Sequence, residues 1–333
     1  MVRFALFGAG RIGRMHADNI AAHPQARLVA VYDVVRPAAE TVAEKHGARV
    51  ATTVEEILED GEIDAVLIAS STDTHVDLIT RAAKAEKAIL CEKPIDLDRE
   101  RVDACWAEIA PLEPFVQIGF NRRFDPSFAR LRESLREGEL GGLRQLLITS
   151  RDPELPSRAY MEVAGGLLRD MTIHDFDMAR FLLPEEPVEV SCFAAALIDP
   201  VVAELGDHDT AMVLLRTESG IQVCISNYRR AVYGYDQRIE AVCEQGAILA
   251  DNMRPTTLER WTASHTEARD PLLHFFIERY REAYVRELDA FIEALEEKRE
   301  PPVTFEDGRR ALILADAAYE SLRSGRTVAV EFD

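Results

Sequence analysis

No stretch of this sequence stays apolar for the roughly 20 residues that a membrane-spanning helix needs, so a membrane role is not expected. The first ten residues, MVRFALFGAG, also lack the apolar core and cleavage site of a signal peptide, and they read as a strand entering a glycine turn. Basic residues are outnumbered, with 39 Lys and Arg against 59 Asp and Glu. The net charge of -20 repels phosphate backbones, so we expect no nucleic-acid partner.

Cysteine is also scarce. The chain has five cysteines, an odd number, and none of them forms a Cys-x-x-Cys pair. We interpret them as buried free thiols in a reducing, cytoplasmic compartment. The composition is that of an ordinary globular protein, with 47% hydrophobic residues. The length of 333 residues is enough for two domains.

The first third of the sequence alternates short apolar runs with amphipathic stretches. Strands are predicted at 2–7, 28–33, 65–69 and 88–91, and helices at 11–23, 37–46, 54–60 and 74–85. The run at 65–69 is apolar on both faces, as in a buried parallel strand. This alternation predicts an α/β domain with a doubly wound parallel sheet.

After a further strand at 115–120 the pattern changes to alternating segments, predicted as strands at 143–150, 188–195, 211–216, 221–228 and 237–242. They predict a second, α+β domain with a large, mostly antiparallel sheet that has one covered face. We place the domains at 1–120 and 121–333. The amphipathic helices predicted at 271–298 and 305–324 either cap the second domain or pack back on the first.

The glycines Gly8, Gly10 and Gly13 match the G-x-G-x-x-G pattern between a predicted strand and a predicted helix. In that context the backbone can approach a pyrophosphate, and the helix N-terminus supplies amide donors. Asp33 follows Gly13 by 20 residues, at the end of the second strand. A carboxylate there accepts from both ribose hydroxyls and repels a 2′-phosphate, which favours NAD over NADP. Asp33 as a surface residue beginning a helix remains an alternative, and the nearby Arg36 leaves NADP use open.

Lys93 stands at the carboxyl end of a predicted parallel strand, in Glu92-Lys93-Pro94, where open sheets bind their ligands. Its charge can lower the pKa of a bound alcohol and stabilise a developing alkoxide. An isolated lysine is more often a solvated surface residue, so the hypothesis depends on the neighbouring nicotinamide site.

A third informative stretch runs from 165 to 177. If it is helical from about Asp170, then Asp170, His174 and Asp177 form one polar ridge. A histidine one turn from a carboxylate can act as a proton acceptor near neutral pH, so His174 is our candidate general base. A purely structural helical histidine is the simpler alternative. A metal site built from Asp170, His174, Asp175 and Asp177 is disfavoured, since no second histidine is nearby; we expect no metal.

These residues make the chain resemble the glucose-fructose oxidoreductase, inositol dehydrogenase and rhizopine-catabolism family over nearly its whole length. The glycine motif with Asp33 and the Glu92-Lys93-Pro94 motif are typical of the family as a whole. The stretches at 119–125 and 228–236, with an arginine pair and a tyrosine-rich segment, look more like its inositol branch. Further matching motifs lie at 72–75 and 170–177.

The resemblance implies a Rossmann domain, an open-faced sheet domain and a homotetramer assembled through that sheet. It implies catalysis by Lys93, Asp170 and His174, with His174 as base and hydride transfer to nicotinamide C4. It also implies NAD contacts beyond the glycine turn. The complete set of expected cofactor residues is Gly8, Gly10, Arg11, Ile12, Gly13, Asp33, Arg36, Ser71, Thr72, His75, Glu92 and Lys93.

The expected substrate is a polyol or sugar, foremost myo-inositol oxidised to its 2-keto product. By the same resemblance Arg123, Asp177 and Tyr233 would contact the ring hydroxyls, and Asp152 is a possible further contact. Such a set is chemically sensible, since vicinal hydroxyls need mixed donors and acceptors. Arg123 could instead pair with Asp125 or another acid, Tyr233 could be sheet packing, and Asp152 before a proline could be a turn residue. Another inositol isomer, an aldose or a sugar acid are alternative substrates, and a sugar sensor without turnover is an alternative function.

Overall fold

The computed structural model describes residues 1–332 and divides the chain into two compact units. Unit 1 comprises Met1–Asn121 and Tyr284–Leu312. Unit 2 comprises Arg122–Ala283 and the C-terminal residues from Ile313 onward. Within this described range no helix is both long and apolar enough to cross a lipid bilayer.

Unit 1 is built on a sheet of six parallel strands in the order β3-β2-β1-β4-β5-β6. Its strands are β1 (Val2–Phe7), β2 (Ala26–Tyr32), β3 (Arg49–Val50), β4 (Ala65–Ile68), β5 (Ala88–Glu92) and β6 (Val116–Gly119). All four residues of β4 are buried, because helices cover both faces of a parallel sheet. The strand order reverses between β1 and β4, and such switch points are where open sheets bind ligands.

Five helices connect these strands: α1 (Arg11–Ala22), α2 (Arg36–His46), α3 (Glu55–Leu58), α4 (His75–Lys84) and α5 (Arg99–Ile109). Single turns of 3-10 helix lie at Thr72–Thr74 and Ala110–Leu112. Helix α2 ends at Gly47, whose φ of 66° is the left-handed conformation usual after a helix.

Unit 2 contains a mixed seven-stranded sheet in the order β12-β11-β7-β10-β9-β8-β15. Only β7 and β10 pair in parallel; the other neighbours are antiparallel. The strands are β7 (Leu143–Arg151), β8 (Pro187–Ala195), β9 (Thr210–Thr217), β10 (Gln222–Tyr228), β11 (Asp236–Cys243), β12 (Gly246–Ala250), β13 (Glu259–Arg260), β14 (Ala268–Arg269) and β15 (Val328–Ala329). Strands β13 and β14 form a separate two-stranded hairpin.

The helices of unit 2 include α6 (Pro126–Glu137), α7 (Arg158–Met161), α8 (Leu167–Asp170), α9 (Thr172–Leu182), α10 (Pro200–Glu204) and α11 (Phe276–Arg279), after a 3-10 turn at Asn121–Phe124. Helix α9 packs on β7 and β10. Alternate residues of β9 are buried and exposed, so one face of the sheet is covered and the other is open.

Two longer helices end the fold, α12 (Arg281–Glu296) and α13 (Phe305–Ser324). Leu288, Phe291 and Ile292 of α12 are buried in the unit 1 core together with Phe4 and Leu67. The first turns of α13, through Leu312, belong to unit 1, and the remainder belongs to unit 2.

The predicted fold class is confirmed: a doubly wound parallel sheet is followed by a mostly antiparallel sheet domain. Some elements differ from the prediction. The helix expected at 271–298 begins only at Arg281, after the short α11, and helices α5 and α6 had not been predicted. The helix expected from Asp170 is interrupted at Met171, so Asp170 ends α8 and His174 lies in α9.

Candidate active site

Two of the three glycines in the turn between β1 and α1, Gly8 and Gly13, have no room for a side chain. Gly8 has a φ of 94°, and a Cβ there would lie 2.5 Å from the Ala69 carbonyl oxygen. A Cβ on Gly13 would lie 1.9 Å from the Gly8 carbonyl oxygen. A Cβ on Gly10 would meet no atom within 4 Å, so packing does not require that glycine. The dinucleotide pattern instead gives Gly10 the place where the backbone approaches a pyrophosphate.

Asp33 follows β2 and closes the glycine turn. Its Oδ2 accepts a hydrogen bond of 2.6 Å from the Ala9 amide, and its Oδ1 accepts one of 2.7 Å from the Val35 amide. These bonds fix the carboxylate beside the turn while each oxygen keeps a second lone pair for a ribose hydroxyl. Asp33 therefore has a structural function in the glycine turn.

The other expected cofactor residues of unit 1 differ in exposure. Arg11 and Ser71 are exposed, Ile12 and Thr72 are half-buried, and all four lie at the starts of helical turns. Arg36 is exposed and forms an ion pair of 2.8 Å with Glu40, one helical turn on.

His75 is almost completely buried, and its ring nitrogens lie 2.8 Å from the Pro94 carbonyl oxygen and 3.1 Å from the Ser70 carbonyl oxygen. Burial lowers the pKa of the imidazole, which favours the neutral ring. His75 thereby ties together the turns that follow β4 and β5. This role is structural and compatible with its prediction as a cofactor neighbour.

Glu92 and the half-buried Lys93 stand at the carboxyl end of β5. The Glu92 carboxylate lies 2.7 Å from Nε2 of the buried His16 on α1. A Cβ on Gly119 of β6 would lie 3.1 Å from Glu92 Oε2. Nearby, burial and the charge of Glu92 raise the pKa of Glu287 well above its usual range. Glu92 thus contacts α1 through His16 and lies close to β6, next to the candidate catalytic lysine.

In unit 2 the candidate base, His174, is partly exposed to solvent, although the helix that carries it is mostly buried. His174 is half-buried, whereas Thr172, Ile173 and Asp175 are fully buried. Asp170 is also half-buried. Both candidate catalytic residues of this unit therefore keep some exposed surface, in a segment that is otherwise core.

Two residues that the sequence analysis did not select contact Asp170. The Arg229 guanidinium donates through Nη2 to Asp170 Oδ2 at 2.5 Å, and the Tyr160 hydroxyl donates to Asp170 Oδ1 at 2.7 Å. Arg229 belongs to the tyrosine-rich stretch at 228–236, so it stood within a recognised motif. Tyr160 carried no sequence signal, since its segment is an irregular loop with a single helical turn.

Asp152 lies on the other side of the same arginine. Its Oδ2 is 4.0 Å from Arg229 Nε, which is beyond hydrogen-bonding distance. Burial raises the pKa of Asp152 to about 6, opposed by the charge of Arg229 and assisted by that of Asp170. The carboxyl group therefore differs from an ordinary turn aspartate.

Arg123 and Asp177 contact each other. Arg123 donates to both carboxylate oxygens, with Nε to Oδ2 at 2.9 Å and Nη2 to Oδ1 at 2.6 Å. Both side chains are nearly buried, so the pair is a well-ordered bidentate one. The suggested partner Asp125 instead caps α6 and pairs with Arg279. Asp177 consequently does not continue the exposed edge formed by Asp170 and His174.

A second buried arginine, Arg122, pairs with Asp175 at 2.8 Å, and the Asn227 side chain donates to the other oxygen of that carboxylate at 2.7 Å. Asp175 is fully buried, and this burial raises its pKa. Sequence analysis had treated Asp175 as a possible metal ligand. Across residues 1–332, no group of three or more His, Cys, Asp or Glu side chains could hold a metal ion.

Tyr233 lies at a different place in unit 2. Its hydroxyl donates to Asp236 Oδ2 at 2.8 Å and accepts from Arg151 at 2.9 Å. The ring is about half exposed and lines a cavity of about 670 Å³. Among the described residues, the lining of this cavity does not include Asp152, Asp170 or His174.

Two family descriptions match the chain. Residues 2–120 match the oxidoreductase family with an NAD-binding Rossmann fold, and residues 128–249 match the GFO/IDH/MocA C-terminal domain. The first match lies in unit 1 and the second in unit 2.

Individual proteins are similar over the full length. The inositol 2-dehydrogenase of Rhizobium meliloti is 50% identical over 329 residues, 99% of each chain. The crystal structure of a myo-inositol dehydrogenase from Corynebacterium glutamicum superposes with a TM-score of 0.96 at 46% identity and covers 99% of both chains. The scyllo-inositol 2-dehydrogenase (NAD(+)) of Bacillus subtilis is 34% identical, over 99% of this chain and 96% of that protein.

Proposed function

Since the chain belongs to the GFO/IDH/MocA family of NAD-dependent oxidoreductases, we propose that it oxidises myo-inositol to 2-keto-myo-inositol (scyllo-inosose). The likeness along the full chain to an inositol 2-dehydrogenase carries the choice of substrate. The glycine turn that Asp33 closes supports the use of NAD, because it combines backbone approach with a carboxylate for the ribose.

Unit 1 is the proposed NAD-binding domain, and unit 2 is the proposed substrate-binding and oligomerisation domain. The amides at the start of α1 bind the pyrophosphate, and Asp33 accepts from the ribose hydroxyls. When bound there, NAD supplies the hydride acceptor, C4 of its nicotinamide ring. The remaining proposed contacts are Arg11, Ile12, Arg36, Ser71, Thr72, His75, Glu92 and Lys93.

The chemical step needs a proton acceptor besides the hydride acceptor. His174 takes the proton of the reacting hydroxyl, and Asp170 orients the imidazole. Lys93 contributes a positive charge that stabilises the developing alkoxide. The half-exposed state of His174, in a helix whose neighbouring residues are buried, supports its role as base.

The other hydroxyls of the ring are the proposed ligands of Arg123, Asp152, Asp177 and Tyr233. Arg123 and Asp177 enter this proposal as a unit, because their bidentate ion pair orients both side chains. Tyr233 would need to exchange its bonds with Asp236 and Arg151 for bonds with substrate.

A second candidate is the oxidation of another inositol isomer. The 34% identity with a scyllo-inositol 2-dehydrogenase favours this alternative, since one changed hydroxyl contact can alter which isomer reacts. Aldoses and sugar acids are further candidates with the same mechanism. A sensor without turnover would not need the accessible histidine.

The deciding experiment is the initial rate of NADH formation with NAD and a panel of myo-inositol, scyllo-inositol, chiro-inositol, glucose and xylose. We expect the highest kcat/KM with myo-inositol. Preference for another member of the panel would keep the mechanism and change the substrate. NAD binding without turnover of any of them would contradict the proposed function.

We further propose a cytoplasmic homotetramer. All five cysteines are free thiols, which fits a reducing compartment. The open face of the unit 2 sheet exposes apolar side chains in four of its strands, namely Leu147, Phe193, Met212, Leu214 and Leu249. Exposed apolar surface of this kind is typical of subunit contacts.

A further inference from the structure

Arg229 is a buried cation placed among three carboxylates. Its side chain is 1% exposed, and its backbone amide is bonded to the Asp209 carbonyl oxygen at 2.9 Å. One guanidinium nitrogen binds Asp170, while Nε and Nη1 lie 4.0 Å from Asp152 and Asp207. Within the described chain, Nε and Nη1 have no hydrogen-bond partner. Arg229 therefore hydrogen-bonds Asp170, whereas it interacts with Asp152 and Asp207 only through its positive charge.

We propose that Arg229 and Tyr160 are positioning residues that give two carboxyl groups different roles. They hold Asp170 as a fixed hydrogen-bond acceptor, and they leave Asp152 without a hydrogen bond from Arg229, so that it can donate one to a substrate hydroxyl. This inference deepens the proposed polyol oxidation and rests on it. Neither positioning residue is assigned contact with substrate or cofactor.

The geometry fixes Asp170 from both oxygens. Arg229 donates to Oδ2 and Tyr160 donates to Oδ1, so rotation of the carboxylate breaks at least one bond. A hydrogen bond from a guanidinium is charge-assisted, and it favours the ionised carboxylate. Asp170 can then orient the base without exchanging protons with it.

Asp152 lies in a different environment at the end of β7. Its amide donates to the Tyr228 carbonyl oxygen at 2.9 Å, and its carbonyl accepts from the Ala231 amide at 2.8 Å, so its backbone is fixed next to Arg229. Because burial raises the pKa of the carboxyl to about 6, a substantial fraction is protonated in weakly acidic solution. A protonated carboxyl can donate to an ether or hydroxyl oxygen, which a carboxylate cannot.

Charged and titratable groups face Asp152 and Arg229 from the surrounding segments. They are Arg122 from the 3-10 turn, Tyr160 from α7, Asp170 from α8, Asp175 from α9, Asp207 after α10, Tyr235 before β11 and Tyr319 from α13. Among these groups, two arginines favour ionised Asp152, and Asp170 and Asp175 oppose it. Two carboxyl groups in different environments are a common way to obtain one hydrogen-bond acceptor and one donor.

The first test needs no substrate. Infrared difference spectra across pH 6 should show the C=O stretch of a protonated carboxyl that disappears in Asp152→Asn. The control Asp199→Asn, an exposed helix cap, should keep the band. In Arg229→Lys the midpoint of the band should rise by about half a pH unit or more, because one ammonium cannot bind Asp170 and remain near Asp152. A band that survives in Asp152→Asn, or an unchanged midpoint in Arg229→Lys, would overturn the proposal.

The second test measures the separate roles of Asp170 and Asp152 during turnover and substrate binding. Tyr160→Phe should lower kcat about tenfold, the equivalent of one lost hydrogen bond, with KM for NAD and the melting temperature unchanged. The affinity of the NADH complex for myo-inositol, measured by nucleotide fluorescence, should fall as pH rises through 6 in the wild type. In Asp152→Asn this affinity should stay constant over the same pH range. Wild-type kcat in Tyr160→Phe, or the same pH dependence in Asp152→Asn, would overturn the inference. A wild-type chain that oxidises no polyol would contradict the proposed function instead, and the infrared result would still decide the positioning role.

Discussion

The accessibility of His174 depends on how a single helical turn is buried. Its neighbours Ile173 and Asp175 are fully buried, so the helix cannot rotate without exposing core residues. The imidazole is thereby kept at the surface of an otherwise buried segment. A residue that only filled space would more commonly be apolar at such a position.

From this position we predict the effect of His174→Ala. Turnover should fall about a hundredfold to ten-thousandfold, the usual range for loss of a general base, while NAD binding is retained. Steady-state rates and nucleotide fluorescence would measure the two properties separately. The exposed His265, replaced by alanine in the same way, should leave the rate unchanged. Wild-type turnover in His174→Ala would remove this histidine from the mechanism.

Asp33 closes the glycine turn and is also the proposed ligand of the NAD ribose. Asp33→Ser should weaken NAD use and improve the ratio of NADP to NAD efficiency, because the charge that repels a 2′-phosphate is lost. Part of the loss will come from the glycine turn, since the bonds to the Ala9 and Val35 amides depend on the carboxylate. Asp33→Asn, which keeps one acceptor oxygen, is the control. A cofactor ratio that stays constant in both variants would contradict this reading of Asp33.

At the scale of elements, two helices that sequence periodicity missed are marked by their caps. The Asp98 side chain accepts from the Glu100 amide at 2.8 Å at the start of α5, and Asp125 caps α6 ahead of Pro126. Aspartate at the cap and proline at the first helical position are both typical start signals. The hydrophobic stripe of α5 is weak, whereas the caps of both helices are clear.

The cap of α5 gives a prediction about stability. Asp98→Ala should lower the free energy of unfolding by about 1 kcal/mol, since the Glu100 amide loses its acceptor. Asp98→Asn keeps an acceptor oxygen and should cost much less. Urea denaturation monitored by circular dichroism would compare the unfolding midpoints of the two variants, provided that the dependence of the unfolding free energy on urea is the same in both. Equal destabilisation by Ala and Asn would show that the charge matters instead of the cap.

At the scale of the whole molecule, the open face of the unit 2 sheet carries rows of exposed apolar side chains that the strand register defines. Leu214 of β9 pairs through Cys224 of β10 with Leu147 of β7, which forms one row, and Met212 lies beside Phe193 in the next row. Leu214 and Phe193 are 50% and 74% exposed. Water-exposed rows of this kind are costly for a monomer and are usually covered by a second subunit.

We therefore predict that Leu214→Glu shifts the protein from the proposed tetramer toward smaller species in size-exclusion chromatography with light scattering, because it places charge in the proposed contact. Leu112→Glu is the matched control, since Leu112 has the same 50% exposure but lies in unit 1. It should leave the mass unchanged. A Leu214→Glu protein that keeps the wild-type mass would exclude this face as the main contact.

The sequence alone determined the order of the two domains, the parallel strands of unit 1 and the glycine turn with Asp33. These features depend on local periodicity and on glycine positions that are near in sequence, so they can be read without knowing distant contacts. Only the tertiary structure decided the partners of the charged residues. Asp170 is bonded to Tyr160 and Arg229, and Arg123 to Asp177, over separations from 10 to 59 residues. Several acids lie near each arginine in the sequence, and burial and chain packing select which of them it binds.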